Sequence, residues 1–316
     1  MNHITFTNGD RLPMLGLGTW KADEEAVYGA VTEAVRAGYR HIDCAAIYGN
    51  EAAIGRALAD LMGEGVVSRE DLWITSKLWN NAHRQNDVRP ALQRTLDDLQ
   101  LDALDLYLIH WPVVFRADVT FPESNGGYLS LEDVPIIETW RALEACVDEG
   151  LTRHIGVSNF SAHKLADLLG HCRIRPALNQ VEMHPVLQQP ALKAFCDDHG
   201  IAVTAYSPLG STDRPAAMRA EDEPDLMALD PIREIASAHD ATPAQVLLAW
   251  AVNRGTVTIP KSANPGRLRE NLAAAEIELT DEEMQRIRTL DQHRRLLTGA
   301  IWKGPYNLDN LWDEGA

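Results

Sequence analysis

Only four cysteines occur among 316 residues, and Cys44, Cys146, Cys172 and Cys196 show no close pairing. That spacing excludes a zinc ribbon or a Cys-x-x-Cys redox motif and suits reduced thiols in a cytoplasmic protein. Positive charge is scarce too: 29 Lys and Arg stand against 46 Asp and Glu, a formal charge of −17. A chain so acidic is a poor general partner for nucleic acid or an anionic membrane, although a local cationic pocket for an anionic ligand stays open. No apolar run reaches the length that spans a bilayer, and the start, Met1-Asn2-His3-Ile4-Thr5-Phe6, lacks a basic segment followed by an apolar one. The histidines are scattered, with no His-x-His or His-Glu-x-x-His spacing that would argue for a metal hydrolase. The expectation is a soluble, cytoplasmic protein without a metal, nucleic-acid or membrane partner.

What is present is regular alternation. Ile4-Thr5-Phe6, the turn Asn8-Gly9-Asp10 and Arg11-Leu12-Pro13 read as a β-hairpin, because Asn-Gly is a strong hairpin signal. Leu15-Gly16-Leu17-Gly18-Thr19 reads as a first core strand. No third glycine or Gly-Lys-Ser follows it, so close packing of backbone explains the glycines better than a phosphate loop. Strands are predicted over 41–45, 72–77, 104–110, 154–158, 177–182, 202–207 and 256–261, with helical apolar spacing between them. Thr242-Pro243-Ala244-Gln245 is a capping box with proline at the first helical position. Eight strand–helix units predict one domain over 1–316: an α/β fold of the (β/α)8 TIM-barrel type, with an N-terminal hairpin cap and extra helices. Two stretches lie outside the alternation, Pro112 to Val134 and Leu296 to Ala316, and both carry aromatic residues that suit binding loops.

A barrel gathers the C-terminal ends of its strands into one site. Asp43, Tyr48, Lys77 and His110 all lie at or just past such ends. Singly, each has an ordinary explanation: a packed tyrosine, a structural ion pair, a satisfied core histidine. Together they suit donation of a proton to an oxygen that is gaining negative charge, as in reduction of a carbonyl. A free phenol, with a pKa near ~10, is a weak acid at neutral pH; a lysine ammonium beside it is expected to lower that value, and a carboxylate to keep the lysine charged.

Gly38-Tyr39-Arg40-His41-Ile42-Asp43 through Tyr48-Gly49-Asn50-Glu51, and Ile259-Pro260-Lys261-Ser262 through Arg267-Leu268-Arg269-Glu270-Asn271-Leu272, resemble the two signatures of the aldo-keto reductases. The likeness extends over nearly the whole chain. It implies a barrel that binds NADPH/NADP+ without a Rossmann domain, with Tyr48 as general acid, Lys77 held by Asp43 and tuning that acid, and His110 orienting the carbonyl. By the same resemblance Thr19, Trp20 and Asp43 belong to the cofactor site, Ser158, Asn159 and Gln180 hold the nicotinamide carboxamide, and Tyr206 stacks on the ring. Ser207, Leu209 and Ser211 follow the pyrophosphate. Lys261, Ser262 and Arg267 meet the adenosine 2′-phosphate, for which two cations and a hydroxyl at a helix N-terminus are the right chemistry. Glu270 and Asn271 reach the adenine.

Trp20, Tyr48, Trp79, His110, Trp111, Phe115 and Trp302 would line the substrate cleft, the last on a C-terminal substrate loop, while Trp73, Trp140 and Trp250 are expected in the core. The implied activity is NADPH-dependent reduction of aliphatic, aromatic and sugar aldehydes to primary alcohols by a monomer. A reductase of ketones or α-keto esters, and a non-catalytic NADPH-binding regulatory barrel, are the alternatives.

Overall fold

The alternation closes on itself at two glycines. A computed structural model describes residues 2–215, 218–220 and 222–313. The hairpin pairs β1 (His3–Thr5) with β2 (Arg11–Pro13), and the barrel begins at β3 (Leu17–Gly18). Next come β4 (His41–Asp43), β5 (Trp73–Leu78) and β6 (Leu104–Ile109). After them a short antiparallel pair, β7 (Val114–Phe115) and β8 (Tyr128–Leu129), interrupts the pattern. The barrel resumes with β9 (Thr152–Ser158), β10 (Leu178–Glu182), β11 (Ala202–Tyr206) and β12 (Val257–Thr258).

The eight barrel strands are all parallel, in the order β3-β4-β5-β6-β9-β10-β11-β12. The first and last meet where Gly16 and Gly18 donate to Thr258 and Pro260 oxygens at 2.9 and 3.0 Å. A Cβ on Gly18 would sit 2.7 Å from the Ile259 oxygen, and one on Gly16 2.5 Å from the His41 ring. Gly18 lets backbone approach backbone at the seam, as the sequence suggested, and Gly16 leaves room for the His41 ring.

Each helix forms for legible reasons. α1 (Glu24–Ala37) starts at Asp23, whose side chain accepts from the Ala26 N–H, and ends at Gly38 in the left-handed conformation. Its buried residues, Val27, Ala30, Val31, Ala34 and Val35, recur at helical spacing and face the sheet. α2 (Glu51–Gly63), α3 (Gln85–Leu99), α4 (Ile136–Asp148), α5 (Ala162–His171) and α6 (Pro190–Asp198) follow their strands in turn.

α7 (Asp230–Ala238) is an addition to the predicted series. Proline in its first turn and the inward triplet Ile232, Ile235, Ala236 were the available signal. α8 (Pro243–Asn253) opens with the predicted capping box and buries every residue from Val246 to Val252. α9 (Pro265–Ala273), α10 (Asp281–Arg288) and α11 (Leu308–Trp312) complete the chain.

Three apolar clusters divide the labour. The largest lies between helices and sheet. A second fills the barrel interior with Trp73, Leu106, Leu108, Leu178 and Val257, closed at the N-terminal end by Leu12, with Ile4 and Phe6 of the hairpin segment packed against it. The third sits outside the barrel mouth and joins the two stretches that fell outside the alternation. Trp73, Trp140 and Trp250 are buried as expected. No helix among the described residues is long and apolar enough to cross a membrane.

Candidate active site

Strand register places the four chemistry-bearing residues on one rim. β4 ends at Asp43, and a single 3-10 turn, Ala46–Tyr48, carries the phenol back over the mouth. Lys77 pairs with Leu108 in the β5–β6 ladder, and His110 follows the last residue of β6. Lys77 is fully buried and ion-pairs with Asp43, while its ammonium also donates to the Cys44 carbonyl at 2.8 Å. The second Asp43 oxygen accepts from the Gln180 amide at 2.7 Å. The ammonium lies 5.2 Å from the Tyr48 ring centroid, and the Tyr48 and His110 rings meet edge to face at 5.8 Å.

The electrostatics refine the expected roles. Burial pulls the Lys77 ammonium downward, but the charges of Asp43 and Tyr48 outweigh it, so its pKa is raised and it stays protonated. Burial lifts the Tyr48 phenol, and that effect exceeds the downward pull of Lys77. The expectation that lysine brings this phenol below its ordinary value is therefore corrected: Lys77 limits a rise instead of producing a fall. His110 is held well below the usual imidazole value by burial, with Lys77 and His83 adding to it. It is neutral at physiological pH and can offer one ring N–H.

A cleft of about 1090 Å³ runs from this rim across the barrel mouth to α9. Pockets for small ligands span roughly 300–1,000 Å³, so there is room for an extended molecule beside a small one. Every residue assigned to the cofactor lines it: Thr19, Trp20, Asp43, Ser158, Asn159, Gln180, Tyr206, Ser207, Leu209, Ser211, Lys261, Ser262, Arg267, Glu270 and Asn271. The amide set is already fixed. Ser158 Oγ donates to the Gln180 carbonyl at 2.8 Å, Asn159 Nδ2 to the His110 carbonyl at 2.9 Å, and Tyr206 Oη to Asn159 Oδ1 at 2.7 Å.

Lys21, Asn159, Ser207 and Ser211 all hold left-handed φ values between 48° and 65° at the cleft wall. Such backbone persists in non-glycine residues where the surroundings demand it, and it collects at binding sites. At the far end Arg267 and Lys261 are exposed. Asn264 caps α9 by accepting from the Arg267 N–H at 3.0 Å.

The substrate residues divide. Trp20, Tyr48, Trp79, His110, Trp111 and Trp302 line the cleft. Phe115 does not: it is 2% exposed and packs edge to face on Trp79 at 5.8 Å, so it backs the wall it was expected to form. The reason is its place on β7, inside the outer aromatic cluster.

Sequence reasoning passed over Ile47, Phe121, Leu297 and Ile301, which also line the cleft. Phe121 was findable as an aromatic on the same long loop as Phe115; the three aliphatics had no signal. Lys21 and Asp213 face each other across the cleft at 2.5 Å, with Lys261 3.5 Å from the second Asp213 oxygen. Among the described residues no cluster of His, Cys, Asp and Glu could hold a metal ion.

The profile of the aldo/keto reductase family matches residues 14–292. The chain belongs to the aldo/keto reductase family. An aldo/keto reductase of Synechocystis sp. is 56% identical over 99% of this reductase and 97% of its own length. Aldo-keto reductase family 1 member A1 of Pongo abelii is 48% identical, covering 92% and 90% of the two chains. The solved aldose reductase of Schistosoma japonicum superposes with a TM-score of 0.87 at 40% identity, over 95% of this chain and 96% of that one. The reductase is thus a (β/α)8 oxidoreductase of a family that uses nicotinamide cofactors on small carbonyl compounds.

Proposed function

We propose that this reductase converts aldehydes, including aromatic aldehydes and aldoses, to primary alcohols with NADPH. The observation that carries the reading is the convergence of the Asp43–Lys77 pair, the Tyr48 phenol and a neutral His110 on one end of a cleft whose other end is cationic. The donor set fits the cofactor. Ser158, Asn159 and Gln180 offer amide and hydroxyl partners for a carboxamide, Tyr206 offers a ring face, and Lys261, Ser262 and Arg267 offer charge and hydroxyl to a phosphate at the start of α9. When bound, NADPH supplies the hydride.

The protein's own contribution is to hold and move a proton. His110 orients the carbonyl oxygen toward the Tyr48 phenol through a neutral ring N–H. As negative charge develops on that oxygen, the phenol proton passes to it, and the phenolate left behind is stabilised by the Lys77 ammonium. Asp43 keeps that ammonium charged and fixed, and its second oxygen fixes Gln180. Trp20, Trp79, Trp111 and Trp302 give the substrate an apolar wall, which excludes water and accepts aromatic substituents.

Steady-state assays with NADPH and a panel of aldoses, aromatic aldehydes and ketones test the activity. The expected ranking by kcat/KM puts aldehydes first; intact NADPH binding without turnover of any carbonyl would sink the enzymatic reading. The coenzyme preference is tested separately. Arg267→Ala is expected to weaken NADPH binding by about 10-fold while leaving NADH binding within twofold, as loss of one charge-assisted phosphate contact implies. Equal effects on both coenzymes would overturn the phosphate assignment.

A further inference from the structure

One buried carboxylate beneath the cleft has no part in the chemistry above. Glu182, the last residue of β10, is fully buried, yet it accepts three hydrogen bonds. The backbone N–H groups of Leu296 and Leu297 donate to its two oxygens at 2.8 and 3.0 Å, and His184 Nε2 lies 2.9 Å from Oε1. These bonds hold the carboxylate below its ordinary pKa against the upward push of burial, so it is an anion at neutral pH. Its own carbonyl accepts from Gln189 Nε2 at 2.6 Å, which pins the strand end it occupies.

The two backbone groups it grips begin the stretch that forms one wall of the cleft. Leu297, Ile301 and Trp302 line the cleft, and Trp302 packs on Trp111 and Trp79 at 5.2 and 6.1 Å between ring centroids. Nothing else in this stretch is tied to the barrel by a charge-assisted bond of comparable burial among the described residues from Leu296 to Trp302. An anion accepting two successive backbone N–H groups fixes the direction of the chain as well as its distance from the strand. Glu182 also sits two residues beyond Gln180 on the same strand, so the floor that holds the cofactor amide and the anchor of the wall share one rigid element.

We propose that Glu182 is a positioning residue that sets the register of the C-terminal wall and thereby governs which carbonyl compounds the cleft admits. The inference rests on the reductase reading for its kinetic consequence, while its structural consequence is read without turnover. In Glu182→Gln, the amide keeps one acceptor and turns its NH2 toward a backbone N–H, so one grip is lost and the side-chain shape is kept.

Amide hydrogen exchange, followed on the full chain, is expected to accelerate at least ~10-fold at Leu296 and Leu297 with little change in the barrel strands. The KM for a bulky aromatic aldehyde is expected to rise about 5- to 10-fold, with kcat for glyceraldehyde and the NADPH Kd within twofold. Unchanged exchange at both amides, or an equal loss for small and bulky aldehydes, overturns the proposal. If the unaltered protein reduces neither aldehyde, the activity reading has failed, and the exchange result still decides the anchor. Should the variant not fold, the unaltered chain decides: Leu296 and Leu297 amides must exchange far more slowly than that of exposed Ile301, and equal rates overturn the proposal.

Discussion

The two walls of the cleft are built on opposite physical principles. The floor is polar, paired and borne by strand ends: Asp43, Lys77 and Gln180 are buried and bonded to one another, and Tyr48 and His110 stand over them. The outer wall is aromatic: Phe115, Tyr128, Trp302, Tyr306 and Trp312 on the two irregular stretches form their own small core with Trp79, which follows β5. Its few polar links serve backbone: Tyr306 Oη donates to the Leu129 carbonyl at 2.8 Å and accepts from the Val114 N–H at 2.9 Å. The Trp79 indole N–H donates to the Thr120 carbonyl at 2.8 Å. The floor owes its precision to the barrel ladder, whereas the wall owes it to ring packing, a few bonds to backbone and the grip of the Glu182 carboxylate on the Leu296 and Leu297 N–H groups. Changes in the floor should therefore alter rate or stability for every substrate, and changes in the wall should alter choice among substrates.

The strongest attempt to break that contrast is Tyr48→Phe, which keeps the ring and removes the proton. We expect kcat to fall about 10²- to 10⁴-fold for every aldehyde, with NADPH binding retained. A loss confined to one class of substrate would place Tyr48 with the wall instead. Lys77→Met comes next. It leaves the Asp43 carboxylate buried without its cation, and we expect a loss of roughly 3–5 kcal/mol in denaturant unfolding. A variant as stable as the parent would mean that the pair does not organise the floor.

Glu51 offers a subtler probe of the same region. It is 3% exposed and accepts from Ser76 Oγ and Thr95 Oγ1, and burial pushes its carboxyl up to about 7. A folded-state pKa above the unfolded one means that the acid form is preferred in the fold. Its contribution is fully present below the unfolded value near ~4.5 and is lost as pH rises toward about 7, by about 3 kcal/mol in all. Glu51→Gln should flatten that part of the stability profile; an unchanged slope between pH 4.5 and 7.5 would remove Glu51 as its source.

The smallest effect is expected at the wall. Trp302→Ala should raise the KM for aromatic aldehydes by about 10-fold while leaving glyceraldehyde within twofold, the scale expected for loss of apolar contact in a pocket. A general fall in kcat would show that wall and floor are not separable.

The same contrast explains what was legible beforehand. The floor could be read because Asp43, Tyr48, Lys77 and His110 lie at or just past places where a strand pattern stops, and strand ends have one destination in a barrel. The direction of the Tyr48 shift could not, because lysine attraction and desolvation oppose each other and only the packed site decides between them. Phe115 was placed on the right loop and the wrong side of it, because loop residues carry no periodicity that fixes their direction. Glu182 passed as an ordinary strand residue, since its partners Leu296 and Leu297 lie more than a hundred residues away and contribute only backbone.

By itself the sequence determined the alternation of strands and helices, the close-packed glycines at the seam and the polar residues at the strand ends. These follow from local periodicity and from the one geometry in which eight parallel strands bury both faces. Only the tertiary structure decided how the two irregular stretches meet over the mouth, which aromatic rings face the cleft and which carboxylate holds the tail. Those outcomes depend on contacts between distant segments, and on the balance between desolvation and pairing at each buried charge.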